Sequence, residues 1–287
     1  MPVAIVTDSN SGISNAEASQ LGIFSVPMPV LLEGETYFEG VNISIETFYG
    51  AMCSGKKVTT AQPSPQEVIG TWQRAFREGY DEVVYIPMSS GHSGSCTSAT
   101  LLAADFDGKV QVIDNHRISV TQRVSVYDAM RLAKEGARAL DIRRSLEDNA
   151  FQSSIYIAVD TLEYLKKGGR VTAAGAAVAT ILGIRPILTI QGERLDACDK
   201  IRGMKHAEKK MIEHLRKDIE TRFQSVPPEK LCIGAAGSFI EEGQAEAWKR
   251  MVEEAFPGIS VHYDPLTFSV GCHVGPGAAG IGIAVSS

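Results

Sequence analysis

A short apolar run that leads into a loop of serines and glycines constrains the fold of this chain more than any other stretch. Residues 83–86 (VVYI) are typical of a buried strand, residues 87–95 read PMSSGHSGS, and the alanines and leucines of residues 96–105 favour a buried helix. Glycines let a backbone approach a ligand closely, and the first N–H groups of a helix attract anions. The sequence therefore predicts an anion site between this strand and this helix.

Strand and helix alternate through the first half of the chain, which is typical of a mostly parallel sheet covered by helices. In such sheets ligands bind beyond the carboxyl ends of the strands, where Asp8, residues 89–95 and Asp114 fall. The predicted strands are 3–6, 83–86 and 110–114, with extended residues at 24–32 and 36–39, and the predicted helices are 14–21, 45–53, 65–79, 96–105 and 120–136. Residues 59–65 (TTAQPSP) hold two prolines and are predicted to be an irregular, rigid loop.

The pattern changes at about residue 153, where a second unit of mixed strands and helices begins. The predicted strands are 154–159, 184–190, 194–197, 231–235, 259–263 and 281–285; the predicted helices are 162–167, 173–182, 204–223 and 241–256; and residues 268–280 are glycine-rich. The turn at residues 191–192 predicts an antiparallel hairpin. We therefore expect an α/β protein of two domains. Residues 1–152 form an α/β/α domain with a mostly parallel sheet, and residues 153–287 form an α+β domain with a mixed or antiparallel sheet.

Length and composition exclude several classes of protein. A chain of 287 residues tends to divide into two domains, and 44% hydrophobic with 22% charged residues is ordinary for a globular protein. The net charge of −6 argues against a nucleic-acid partner. No apolar run reaches the roughly 18 residues that cross a bilayer, and the N-terminal residues resemble a strand rather than a signal peptide. We expect no membrane span and at most transient membrane contact.

The five cysteines favour a cytoplasmic protein with free thiols. They are odd in number and widely spaced, and neither a CxxC pair nor a Cys/His pair at metal-ligand spacing occurs. We expect no bound metal. No P-loop or Gly-x-Gly-x-x-Gly sequence follows a predicted strand, so no cofactor is expected.

The serine loop also permits a nucleophile. Residues 91–95 (GHSGS) approach the hydrolase elbow Gly-x-Ser-x-Gly, but Ser95 stands where the last glycine belongs. Ser93 and His273, with Asp8 or Asp160 as the acid, would complete a serine hydrolase that acts on acyl esters. A loop that only caps the following helix explains the same residues.

Three further groups have structural explanations of their own. His273 lies among glycines in residues 271–277 (GCHVGPG) and is commonly a structural loop histidine. Gly168, Gly169 and Arg170 read as a helix end followed by a solvated arginine. The lysines of the helix that begins at residue 204 commonly form a solvent-exposed face. Each signal alone is weak.

Six segments in order nevertheless resemble the DegV family, the bacterial fatty-acid-binding proteins, some of which carry lipid as subunits of fatty acid kinase. The segments are Ile5–Ser9 (IVTDS), Thr60–Pro63 (TAQP), Ser89–Ser95 (SSGHSGS), Val112–Asp114 (VID), Leu162–Arg170 (LEYLKKGGR) and His273–Gly277 (HVGPG). The resemblance covers nearly the whole chain.

The resemblance implies a non-catalytic carrier that buries one long-chain fatty acid between two domains and presents it to the catalytic subunit of a fatty acid kinase. It places the carboxylate contacts on Thr60 and Ser93, with His273 nearby and Arg170 at the mouth of the site. The full expected set is Thr60, Ser90, His92, Ser93, Gly94, Ser95, Arg170 and His273. A binding protein for another small anion remains a third reading of the same loop.

The chain departs from the family pattern at three places. His92 replaces a usual apolar residue, Ser95-Cys96 replaces Thr-Tyr, and Ala61 replaces a serine. If His92 faces the pocket, it bears on acyl selectivity or on the class of ligand. Arg170 and the basic residues at 202–210 are expected to dock an acidic partner, outside the lipid contacts.

Overall fold

The computed structural model describes residues 2–170, 183–192 and 194–287. The strands are β1 (Val3–Asp8), β2 (Phe24–Val26), β3 (Pro29–Leu32), β4 (Glu35–Phe38), β5 (Val58–Thr60), β6 (Glu82–Ile86), β7 (Val110–Val112), β8 (Ser153–Ala158), β9 (Ile184–Ile190), β10 (Leu195–Arg202), β11 (Leu231–Gly237), β12 (Val261–Pro265) and β13 (Ala279–Val285). The helices are α1 (Asn15–Leu21), α2 (Ile45–Cys53), α3 (Pro65–Arg77), α4 (Ser95–Ala103), α5 (Ser119–Lys134), α6 (Ala139–Asp148), α7 (Glu163–Gly168), α8 (Met204–Thr221), α9 (Gln244–Ala255) and α10 (Phe268–Val274).

The first half of the chain forms a four-stranded parallel sheet between two layers of helices. Its strand order is β2-β1-β6-β7, and every pairing is parallel. Helices α3 and α4 pack on one face around Trp72 and Tyr85, and α1, α5 and α6 pack on the other around Ile86 and Ile142. Helix α3 begins with a capping box in which the Ser64 hydroxyl accepts from the Glu67 N–H, as its sequence indicates.

The second half forms a six-stranded mixed sheet in the order β10-β9-β8-β13-β11-β12. Only β11 and β12 pair in parallel; the other pairs are antiparallel, including the predicted β9–β10 hairpin. Helices α8 and α9 contribute Met211, Leu215 and Trp248 to the core on one face.

Helix α5 lies between the two sheets and contacts both. Val120 of this helix packs on Gly234 of β11 and Gly282 of β13; a Cβ built on Gly234 would lie 2.4 Å from the Val120 Cβ. These glycines let the helix approach the second sheet closely. The α/β fold, with a parallel sheet in the first half and a mixed sheet in the second, is confirmed. The division between residues 152 and 153 stays a prediction.

Three elements differ from the sequence predictions. Residues 59 and 60 were expected in an irregular loop but belong to β5, because they pair with β3 in a small antiparallel sheet of order β4-β3-β5. The glycine-rich residues 268–274 form helix α10, in which Gly271 is required by packing: a Cβ there would lie 2.4 Å from the Tyr49 hydroxyl. Helix α6 had not been predicted. The predicted helix 173–182 lies outside the described residues.

Over the described ranges, no helix is both long and apolar enough to cross a membrane.

Candidate functional site

An apolar cavity lies between the first and second halves of the chain. The empty space is about 1100 Å³, including the part at the mouth that is open to solvent. Both halves of the chain supply its walls. The larger apolar residues that line it are Met28, Met88, Ile118, Val120, Ile155, Ile157, Leu165, Ile190, Leu195, Leu266, Val270, Val274 and Ile281.

Polar side chains gather at one part of this cavity. Thr60 is the last residue of β5, His273 belongs to the last turn of α10, and their Oγ1 and Nε2 atoms lie 3.1 Å apart. Ser93 and His92, from the loop between β6 and α4, and the exposed Arg170, which follows α7, also line the cavity. Residues more than 200 positions apart in the sequence therefore meet at one site.

Hydrogen bonds within the serine loop hold it in place. The His92 and Ser93 N–H groups donate to the Ser89 carbonyl, and the Ser93 Oγ accepts from the Ser95 N–H at 3.1 Å. The Ser93 hydroxyl proton therefore remains free to be donated to a ligand. The Ser90 N–H donates to Asp114, which ties the loop to the end of the neighbouring strand β7.

The structure brings most of the expected site residues to the cavity but not all. Thr60, His92, Ser93, Gly94, Arg170 and His273 line it. Ser90 is exposed and Ser95 is buried at the start of α4, and neither borders the cavity. Arg170, which the sequence also places outside the lipid contacts, lines the cavity.

Burial changes the proton affinity of the two histidines. Desolvation, with the positive charge of Arg170 nearby, lowers the pKa of His92 and of His273 to about 4. Each ring is therefore neutral at pH 7. The His92 Nε2 and the His273 Nδ1 are buried and have no hydrogen-bond partner among the described residues.

Asp8 stabilises the fold at the edge of this site. Its fully buried carboxylate accepts from the Met88 N–H at 2.8 Å, from the Asn10 N–H, and from the Gln122 side chain at 3.0 Å. Burial raises its pKa to about 6 despite these bonds. Asp8 thus joins the ends of β1 and β6 to helix α5.

The apolar walls and several polar contacts escaped the sequence analysis. Met28, Ile157 and Leu266 have the pattern of ordinary core residues, and only the fold shows that they surround a cavity. Asn10 and Ser269 were also missed; they bond at 2.9 Å and join the first and second halves of the chain beside the site. Neither residue stands in a recognisable motif.

We expect Gly168→Ala to displace His273. A Cβ at Gly168 would lie 2.2 Å from the His273 Nδ1, so the ring must move and its contact with Thr60 is lost. The matched control is Gly50→Ala in helix α2, where a Cβ meets nothing within 4 Å and alanine is expected to stabilise by up to about 1 kcal/mol. Thermal unfolding and ¹⁵N-histidine NMR measure the two effects; an unmoved His273 signal in Gly168→Ala contradicts the packing described.

Comparisons with known proteins match nearly the whole length of this chain. The DegV family model matches residues 2–286. A DegV domain-containing protein of Deinococcus radiodurans is 32% identical over 284 residues, which cover 99% of this chain and 98% of that protein. A DegV domain-containing protein of Staphylococcus aureus is 30% identical over 98% of this chain and 97% of its own length.

Two solved structures share both the fold and part of the sequence. A fatty-acid-binding DegV family protein of Thermus thermophilus is 28% identical with a TM-score of 0.87, over 99% of this chain and 100% of that one. DegV of Bacillus subtilis, a fatty acid binding protein, is 26% identical with a TM-score of 0.83, over 99% of both chains. The match over residues 2–286 and these full-length similarities show that the chain belongs to the DegV family.

Proposed function

We propose that the cavity binds one long-chain fatty acid, with the carboxylate among Thr60, Ser93 and His273 and the tail along the apolar walls. The observation that carries this proposal is the distribution of polarity: hydroxyls and imidazoles gather in one part of the cavity, and the rest of its lining is mostly aliphatic, with Gln62, Ser119 and Ser269 as the exceptions. The fatty-acid-binding relatives from Thermus thermophilus and Bacillus subtilis support the same class of ligand.

The tail supplies most of the affinity. An acyl chain of about sixteen carbons, at roughly 0.8 kcal/mol for each buried CH₂, contributes on the order of 10 kcal/mol before the costs of binding are subtracted. A small polar anion would gain nothing from the aliphatic walls, so these walls favour a fatty acid over another small anion.

The polar groups offset the cost of burying the carboxylate. If the His273 Nε2–H donates to the Thr60 Oγ1, the Thr60 proton is free for the ligand, as is the Ser93 proton. Two hydroxyl donors then face the carboxylate oxygens, and bonds of this charge-assisted kind are stronger than neutral ones.

The geometry favours a carrier over the serine hydrolase. The Ser93 Oγ accepts from the Ser95 N–H, and the His273 Nε2, which would have to deprotonate a serine, contacts Thr60. Asp8 is bonded to Met88, Asn10 and Gln122, and Asp160 pairs with Arg185 at 2.6 Å. Neither candidate acid orients His273, which a triad requires.

We further propose that the protein presents the carboxylate to a fatty acid kinase subunit in the cytoplasm. A second hollow adjoins the polar part of the cavity and shares Thr60, Arg170 and His273 with it. The exposed amines of Lys56, Lys57 and Lys167 line this hollow, so an anionic group of a partner would be attracted to the mouth.

Helix α8 offers the test of partner docking, because its lysines lie outside the cavity lining. Reversing two exposed charges in Lys205→Glu/Lys209→Glu is expected to lower acyl-phosphate formation with a fatty acid kinase catalytic subunit by about tenfold, since like charges at an interface repel. Palmitate affinity should not change. Loss of palmitate binding in this variant, or undiminished acyl-phosphate formation, contradicts the assignment.

Titration calorimetry of the delipidated protein tests fatty acid binding itself. We expect palmitate to bind with a stoichiometry of one, and methyl palmitate, which keeps the tail but has no carboxylate charge, to bind more weakly. Absence of saturable palmitate binding refutes the proposed function. Equal affinity for the two ligands refutes the carboxylate site.

A further inference from the structure

The second imidazole of the cavity has no structural task. The His273 Nε2 contacts Thr60, whereas the His92 ring lines the cavity beside Ser93 with its Nε2 buried and, in the part of the chain that the structure describes, unbonded. Leaving a buried polar atom without a partner costs free energy, and such an atom in a cavity wall is a candidate ligand contact.

The groups around His92 determine its charge. Burial, and then the charge of Arg170 after α7, lower the pKa of His92, and the nearby His92 ring contributes to the lowered pKa of His273 on α10. Asp114, after β7, is the acid bonded to the serine loop, and it accepts from the Ser90 and His116 N–H groups. No carboxylate acts on the His92 ring among the described residues, so burial keeps it neutral until an anion enters.

We propose that His92 is a direct ligand of the fatty-acid carboxylate and takes up one proton from solution when the fatty acid binds. This inference rests on the proposed function, because it needs an anionic head group in the cavity. The proton comes from bulk water and adds to the imidazole, and no bond of the ligand breaks. The resulting imidazolium N–H donates to the carboxylate as a charge-assisted hydrogen bond.

His92 rather than His273 is assigned the proton because the two rings are bonded differently. The His273 Nε2 already contacts Thr60. Gly168 packs tightly against the His273 Nδ1, since a Cβ built on Gly168 would lie 2.2 Å from that atom. The His92 ring has no such constraint on Nε2. A carboxylate seated at Ser93 therefore meets the adjacent ring with its nitrogen free.

The sign of the pH dependence follows from this assignment. The neighbouring carboxylate raises the pKa of His92 in the complex above its value of about 4 in the empty cavity. The affinity gained from this proton is complete below the empty-cavity pKa of about 4; palmitate affinity then falls by up to tenfold per pH unit between that value and the raised pKa, and levels off above it. A neutral head group gains nothing from this proton, so His92 makes the site select the acid over the alcohol or ester.

Calorimetric titration of palmitate into the delipidated protein at pH 6, 7 and 8, in two buffers of different ionisation enthalpy at each pH, counts the proton taken up. We expect uptake of up to one proton at pH 6 that falls toward zero as pH rises through the raised pKa. The same profile is expected in His206→Leu, a matched control at an exposed histidine of α8. We expect near-zero uptake and a ten- to hundredfold lower affinity in His92→Leu. In ¹⁵N-histidine spectra, palmitate should move only the His92 ring to the imidazolium form.

Each other outcome is decisive. Palmitate binding with no proton uptake in the wild type, or with the same uptake in His92→Leu, overturns the role of His92 and leaves the proposed function standing. If palmitate converts the His273 ring to the imidazolium form in the ¹⁵N spectra, this also overturns the role of His92 and leaves the proposed function standing. Absence of palmitate binding in wild type overturns the proposed function, and this inference with it.

Discussion

Replacing both hydroxyls at the polar part of the cavity, in the double variant Thr60→Val/Ser93→Ala, is expected to weaken palmitate binding on the order of 100-fold or more. In the proposed complex each hydroxyl donates a hydrogen bond to a charged oxygen, and bonds of this kind contribute about 1.5–3 kcal/mol. The loss is expected to be less than the sum of the two single changes, because both hydroxyls would serve the same carboxylate and changes that share a partner are not additive. The tail contacts are unchanged, so residual binding should remain.

The control for this double variant is Thr59→Val, which removes the hydroxyl of the neighbouring residue of β5. Thr59 is exposed and lies outside the cavity lining. We expect its palmitate affinity and thermal stability to match the wild type. A double variant whose Kd stays within about threefold of the wild type, with the fold intact, would show that the carboxylate lies elsewhere.

The second large effect concerns stability and falls on Arg117, whose side chain is only 1% exposed. Its guanidinium donates to the main-chain carbonyls of Asn149, Ala150, Gln152 and Val285 and to the Ser125 hydroxyl. It thereby joins the segment before α5 to the end of β13. Burial lowers its pKa to about 10, so the group remains charged at pH 7.

We expect Arg117→Met to lower the free energy of unfolding by about 3–5 kcal/mol, because several buried carbonyls lose their donor. The control is Arg144→Met, since the Arg144 side chain is 69% exposed and its ion pair with Asp141, at 4.0 Å, is expected to contribute under about 1 kcal/mol. Urea unfolding compares the two variants. Equal midpoints would contradict the role assigned to Arg117.

The sequence allowed good prediction of the elements whose signals are local. Helix α3 has an apolar stripe, a capping serine and a proline at its first position, and its predicted start at Pro65 is confirmed. The strand at β6, the serine loop and helix α4 also follow from adjacent residues. The parallel pairing of the four-stranded sheet could be predicted because helices separate its strands along the chain, as parallel connections require.

Elements that depend on distant contacts could not be predicted in this way. Helix α10 contains glycine, a poor helix former, and exists because Gly271 lets it pack on Tyr49 of α2. Strand β5 forms only by pairing with β3. The cavity walls likewise use ordinary core residues, and nothing in Ile157 or Leu266 distinguishes a residue facing a cavity from one facing another side chain.

The polar part of the site was predicted through the ordered set of DegV-like segments rather than through any one residue. That set named Thr60, Ser93 and His273, which the structure brings to one cavity. That set did not decide whether the His92 side chain faces the cavity or the solvent. The structure shows the ring in the cavity wall.

Native mass spectrometry of the freshly purified protein, followed by lipid extraction, tests the central claim most directly. The account predicts a species heavier than the bare chain by one long-chain fatty acid, and release of that fatty acid on extraction. A chain found ligand-free that also binds no palmitate after delipidation would contradict it.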